Sequence, residues 1–160
     1  MATLTLVCGL PGAGKTTLAR RLATETLAVR LCPDEWLASM GIDGRDETVR
    51  DRLEQTLTMH ALQLLSIGVD VILEYGFWGR KERDLKRDEA RSAGARVHLF
   101  ALIVPLDELW RRLEARNAIL PWGVVTVTRP ELESWWDIFA SQAPDEAELS
   151  LFDGGAIKRL

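Results

Sequence analysis

Cysteine is scarce: Cys8 and Cys32 are the only two in 160 residues. They leave no disulfide scaffold, and no zinc cluster built on the usual four Cys/His ligands. No apolar run approaches the ~20 residues of a membrane span. The first residues, Met1 to Leu4, carry no basic stretch leading into an apolar one, so a secretory signal is not expected. Neither sign of charge dominates. Lys plus Arg is 20 and Asp plus Glu is 24, a net charge of −4, which gives no whole-molecule attraction to nucleic acid or lipid. There is no internal repeat and no linker rich in Pro, Gly or Ser. What remains is the composition of a globular chain, 47% hydrophobic and 28% charged. The length suits one domain, residues 1–160, and a cytoplasmic setting is the expectation. Tyrosine occurs once, but tryptophan six times, at Trp36, Trp78, Trp110, Trp122, Trp135 and Trp136. Most of these flat side chains are expected in the core.

Short apolar runs alternate with longer amphipathic ones. Strands are predicted over 3–8, 29–32, 69–73 and 97–104, with a fifth over 149–152. Helices are predicted over 15–28, 45–67, 80–92, 106–117 and 131–141 from apolar residues at three- and four-residue steps. Strands separated by helices imply βαβ units, hence an α/β fold with a parallel sheet of about five strands and helices on both faces. Ligands of such sheets sit beyond the carboxyl ends of the strands. Gly9, Asp34, Glu74 and Pro105 follow the first four strands and should converge there.

Gly9, Leu10, Pro11, Gly12, Ala13, Gly14, Lys15 and Thr16 match G-x-x-x-x-G-K-[ST], with Thr17 next. Its glycines let successive N–H groups turn inward as a nest for phosphate oxygens, and the following helix points its positive end at the same anion. Lys15 is the side chain for the β- and γ-phosphates, and the Thr16 hydroxyl is a magnesium ligand. An apolar strand before the motif and an amphipathic helix after it make this a P-loop NTPase signature with ATP and Mg2+ as its cofactors. A guanine-selecting N-K-x-D segment is missing, which argues against a GTPase. Motor ATPases are usually larger.

Asp34 lies just past the second strand, where a carboxylate can take a proton from an acceptor hydroxyl. Its alternative role is to cap the helix beginning near Glu35. Arg112 and Arg116, four apart, share a helix face and lead into a loop with Pro121 and Gly123. This reads as a small arginine-bearing lid, about 111–130, that clamps transferring phosphate; the alternative is a solvated cationic helix end. Glu74, at the end of the third strand, is a candidate magnesium carboxylate or an ordinary exposed strand end. Tyr75, Phe77 and Trp78 form either an acceptor pocket or a core wall. Arg80, Arg83, Arg87 and Arg91 read mostly as a solvated face, with Arg80 and Arg83 near enough to the crevice to touch an anion. His60, His98 and Cys8 read as structural; Cys32 lies near Asp34 with nothing to lower its pKa.

These features resemble the small P-loop kinases labelled AAA-type ATP-binding proteins, a group similar to the 5′-kinase domain of polynucleotide kinases, chloramphenicol phosphotransferase and the zeta toxins. The resemblance runs from about Leu4 to Phe152. It is carried by G-L-P-G-A-G-K-T at Gly9, by Asp34, and by G-V-D-V-I-L-E-Y-G-F-W from Gly68 with Arg80 and Arg83. Further matches are G-A-R-V-H-L-F-A-L from Gly94, L-W-R-R-L-E-A-R-N from Leu109, and Phe139 with Pro144-Asp145-Glu146. The group usually has Asp where this chain has Glu74. The resemblance implies transfer of the ATP γ-phosphate to a hydroxyl, with Lys15 and Thr16 at the phosphates and metal, Asp34 as base, and Arg112 and Arg116 as lid arginines. A small-molecule acceptor is expected. A 5′-hydroxyl polynucleotide, or a non-catalytic nucleotide switch with no acceptor, are the alternatives.

Overall fold

The computed structural model describes all 160 residues. Five strands form one sheet: β1 (Thr3–Cys8), β2 (Val29–Leu31), β3 (Val71–Gly76), β4 (Arg96–Ile103) and β5 (Gly154–Arg159). Every pairing is parallel, and the order across the sheet is β2-β3-β1-β4-β5. The helices are α1 (Lys15–Thr26), α2 (Pro33–Ser39), α3 (Glu47–Ser66), α4 (Arg80–Ser92), α5 (Leu106–Ile119), α6 (Arg129–Ala140) and α7 (Glu146–Leu149). The α/β expectation is met.

Period-two alternation in β1 divides the core. Val7 packs with Ile72 and Ala19 under α1, joined by Leu18, Leu22 and Ala23. Leu4, Leu6 and Cys8 belong to the larger cluster, with Leu73, Leu99, Leu57 and Ala61 of α3, and Ala90 of α4. β1 lies between β3 and β4, so the chain leaves it for opposite halves of the sheet. Such a switch point opens a crevice at the carboxyl end of the strand, and Gly9 begins there.

The fifth strand lies elsewhere than predicted. The stretch 149–152 is the end of one-turn helix α7 and the turn after it, with Asp145 capping α7 by accepting from the Glu148 N–H at 2.8 Å. β5 begins at Gly154-Gly155, a pair that composition marks as loop. The reason is packing. Gly155 has φ +119°, and a Cβ there would stand 1.8 Å from the Leu99 carbonyl oxygen, so only glycine lets β5 close on β4. α6 starts at Arg129 rather than Glu131, behind a capping box in which Thr128 and Glu131 each satisfy the other's backbone N–H.

Candidate active site

Lys15 and Thr16 open α1, whose N-cap, Gly14, is left-handed at φ +98° and makes no side-chain cap. The first-turn N–H groups of the helix therefore face the crevice with no intrahelical acceptor. Leu10 and Ala13 are buried, so their side chains anchor the loop in the core and only their backbone can meet a phosphate. Gly9 donates to the Gly76 carbonyl at 2.9 Å, and its own carbonyl accepts from the Trp78 indole N–H at 3.2 Å. Gly12 (φ +85°) sits so close to α5 that a Cβ would stand 3.0 Å from Leu113 Cγ. Lys15 Nζ donates to the Leu10 carbonyl at 2.9 Å, a contact that folds its ammonium back over the loop. Burial lowers its pKa, opposed by the nearby Glu74 and Asp34 carboxylates.

A chain of ion pairs runs beneath the loop. The Thr16 hydroxyl donates to Glu74 Oε1. Glu74 Oε2 accepts from Arg30 Nε at 2.7 Å. Arg30 then makes a two-pronged contact with Glu35, at 2.9 and 3.0 Å, and Arg20 of α1 braces Glu35 at 2.9 Å. Glu74 is almost fully buried, which removes the exposed-strand-end reading. No cluster of three or more His, Cys, Asp or Glu side chains is poised around one point, so there is no all-protein metal cage. Magnesium does not need one. It keeps several waters and takes one or two protein oxygens plus substrate phosphates. A hydroxyl and a carboxylate in contact at the foot of the phosphate loop fit that requirement.

Asp34 is not a helix cap. α2 starts one residue earlier at Pro33, with Cys32 at the N-cap position and no side-chain cap. The Asp34 carboxylate is 55% exposed on the cleft side and pairs with Arg50 of α3. Burial works against the Arg50 charge, but the neighbouring Asp34 and Glu54 carboxylates more than offset it, and the guanidinium's pKa is raised.

Arg112 and Arg116 both reach the cleft from α5. Arg112 is engaged by Glu108 at 2.7 Å and reaches the Gly12 carbonyl at 3.4 Å. Arg116 is different. Its Nε is buried without a hydrogen-bond partner, and desolvation lowers its pKa despite the field of Asp34. After α5 the chain crosses as a strap, 120–128. Asn117 holds Val127 by a reciprocal pair of hydrogen bonds, and Arg45 donates to the Thr126 carbonyl and to Glu131, the latter at 2.7 Å. Gly123 lies against Glu35 and Ala38 of α2.

These groups open into one cleft of about 950 Å³, lined by Pro11, Gly12, Gly14, Lys15, Thr16, Thr17, Asp34, Glu74, Arg112 and Arg116 together. Gly9, Leu10 and Ala13 support the loop from behind. The rest of the lining is partly acidic and aromatic, with Asp51, Glu54, Glu82, Tyr75, Trp78 and Trp135. Burial pushes the Glu54 carboxyl up to about 7, with Arg50 opposing and Glu82 adding to the rise. The three aromatics after β3 divide their roles. Phe77 is a buried core residue at the cleft wall, stacked on Tyr75 at 5.3 Å, while Tyr75 and Trp78 are only partly buried there and Trp78 meets Trp135 at 5.7 Å.

Two sequence expectations are corrected. Arg83 neither touches an anion in the crevice nor lies on a solvated face. It is fully buried and donates to Glu148 at 2.7 and 2.9 Å, and to the carbonyls of Phe77, Trp78 and Gln142. Arg80 is partly exposed but spent on Asp84 at 3.0 Å. The cysteines are inert: burial pushes both thiols up to about 12. Arg20, Arg30, Glu35, Arg45 and Arg50 carry no motif and were not legible in sequence; their importance follows from how the fold packs α1, α2, α3, β2 and the strap against one another.

The family model described as an AAA domain matches residues 4–124. No curated protein matches the sequence. Among solved structures, a candidate kinase from Chloroflexus aurantiacus J-10-fl superposes with a TM-score of 0.75 at 21% identity, covering 99% of this chain and 88% of that one. A chain of the Pnkp1/Rnl/Hen1 RNA repair complex gives 0.75 at 19% identity, over 95% of this chain but 46% of that one. The APS kinase CysC of Mycobacterium tuberculosis, solved with AMPPNP and APS, gives 0.64 at 19%, over 98% and 88%. The phosphate loop, the all-parallel sheet and a match over three-quarters of the residues lead to one conclusion: the chain belongs to the AAA-domain family, in the form whose fold the small P-loop kinases share.

Proposed function

We propose that the protein is an ATP- and magnesium-dependent phosphotransferase that moves the γ-phosphate to a hydroxyl of a small-molecule acceptor. The observation that carries this reading is that one cleft is lined by Lys15, Thr16, Arg116 and Asp34 together with the acidic and aromatic side chains Asp51, Glu54, Glu82, Tyr75, Trp78 and Trp135. A nucleotide switch needs the phosphate-binding groups of that cleft and no room for an acceptor.

The loop N–H groups and the N-terminus of α1 receive the β- and γ-phosphates, and Lys15 exchanges the Leu10 carbonyl for phosphate oxygen. Thr16 and Glu74 would hold magnesium, which when bound would supply positive charge to offset that of the phosphates. Asp34 accepts the acceptor's hydroxyl proton as the new O–P bond forms and the bond to the ADP leaving oxygen breaks. Arg116, a cation without a partner at its Nε, stabilises the charge spread over the equatorial oxygens. The strap excludes water from the transferring phosphoryl group, as a lid does.

The cleft favours a small molecule over a polynucleotide. Asp51, Glu54 and Glu82 line it, and Arg50 beside them is already paired with Asp34. A polyanion needs uncommitted cations along its path. The test is transfer of label from γ-labelled ATP with magnesium, offered separately to pooled hydroxylated small molecules and to 5′-hydroxyl oligonucleotides, with Lys15→Ala as blank. Label on a small molecule is expected. Label on the oligonucleotide would reassign the acceptor, and nucleotide binding with no labelled product would favour the switch.

A further inference from the structure

We infer that Arg30, on β2, is a positioning residue that holds Glu74 toward the Thr16 hydroxyl. The inference rests on the phosphotransferase reading, in which Glu74 serves the metal. Arg30 does not line the cleft and its side chain is only 13% exposed, so it reaches no substrate. Its donors are spent on two carboxylates. Nε meets Glu74 Oε2 at 2.7 Å, and the two terminal nitrogens meet Glu35 at 2.9 and 3.0 Å. A glutamate is one methylene longer than the aspartate usual at this strand end and has one more rotatable bond to fix. Here both of its oxygens are assigned: Oε2 to Arg30 and Oε1 to Thr16. Arg30 is itself held by Glu35, which Arg20 braces from α1. The planar guanidinium fork is what spans two carboxylates at once; a lysine ammonium has the charge without the fork.

The experiment compares wild type, Arg30→Gln, Arg30→Lys, Glu74→Gln and the Arg30→Gln/Glu74→Gln pair, and needs no acceptor. Mn2+ is titrated into each protein saturated with ADP, and free Mn2+ is followed by electron paramagnetic resonance. ADP binding in EDTA and the melting temperature serve as fold controls. Arg30→Gln should weaken Mn2+ retention by roughly 10- to 100-fold, the usual cost of losing a group that orients a metal ligand. ADP affinity in EDTA should stay within about twofold, because Arg30 touches no phosphate-loop atom. Arg30→Lys, which keeps the charge, should fall between and secures the comparison should the glutamine variant unfold. The pair should be no worse than Glu74→Gln, as expected of residues acting through one another. Unchanged Mn2+ retention in Arg30→Gln and Arg30→Lys, or additive losses in the pair, overturns the assignment and leaves the phosphotransferase reading standing. A wild type that binds neither ADP nor Mn2+·ADP overturns both.

Discussion

Asp34 and Glu54 are carboxylates on the same cleft with opposite surroundings. Both face the Arg50 guanidinium, but Asp34 is exposed, whereas Glu54 is largely buried. Asp34→Ala should lower kcat by about 10²- to 10⁴-fold, the range of a lost general base. ATP affinity by calorimetry should change little, since Asp34 lies beyond the loop. Glu54 makes a prediction about stability. Its folded pKa, about 7, is raised above the ordinary 4.5, mainly by burial. Between these values the folded state holds a proton that the unfolded state has released, so stability is greatest at low pH and falls as pH rises through about 7. Glu54→Gln should therefore melt close to wild type at pH 5 and above it at pH 8, by at most ~3 kcal/mol. A difference that does not grow with pH in thermal melts would refute this. The phosphate loop, Asp34 and Arg116 were legible because each is a chemical type at a strand or helix end. Arg30 and Arg50 were not, because their partners lie 44 and 16 residues away, and the pairing of β2 with β3 and the packing of α2 on α3 bring them together.

Helix and strand positions followed from periodicity except where long-range packing decided. β5 is the clearest case. Its two glycines read as a turn, yet Gly155 is required by the approach of the Leu99 carbonyl. Gly155→Ala should detach β5, seen as faster amide exchange along β4 residues 98–103, with β1–β3 pairing retained. α4 hid a second case. An arginine at helical spacing among charged neighbours looks solvated, but Arg83 falls on the inward face and ties α4 to α7 through Glu148. Arg83→Met should cost about 3–5 kcal/mol in urea titrations, because it strands a buried carboxylate. Arg83→Met/Glu148→Met should recover only part of that, since the carbonyls of Phe77, Trp78 and Gln142 still lose their donor.

For the molecule as a whole, the cleft lies where most elements meet: α1, α2, α3, β3, α5, α6 and the strap each contribute lining residues. Nucleotide binding is thus coupled to global stability. At 100 times its Kd, ATP with magnesium should stabilise the fold by about 2.7 kcal/mol. That is a rise in Tm of roughly 5–10 °C for a chain of this size. Lys15→Ala should remove most of the rise while leaving the unliganded Tm near that of wild type, which a thermal melt with and without ATP checks directly.

The tryptophans have a practical consequence. Trp78 and Trp135 wall the cleft and Trp122 rides on the strap that crosses it, 68% exposed. Their indoles are native fluorophores set on the wall of the ligand space and on the strap beside it. Emission should shift to shorter wavelength when the strap settles over a ligand and Trp122 leaves water. Trp122→Phe should silence that shift without silencing quenching at Trp78 and Trp135. An acceptor could then be sought by optical titration of the unlabelled protein, one compound at a time, before any turnover is observed.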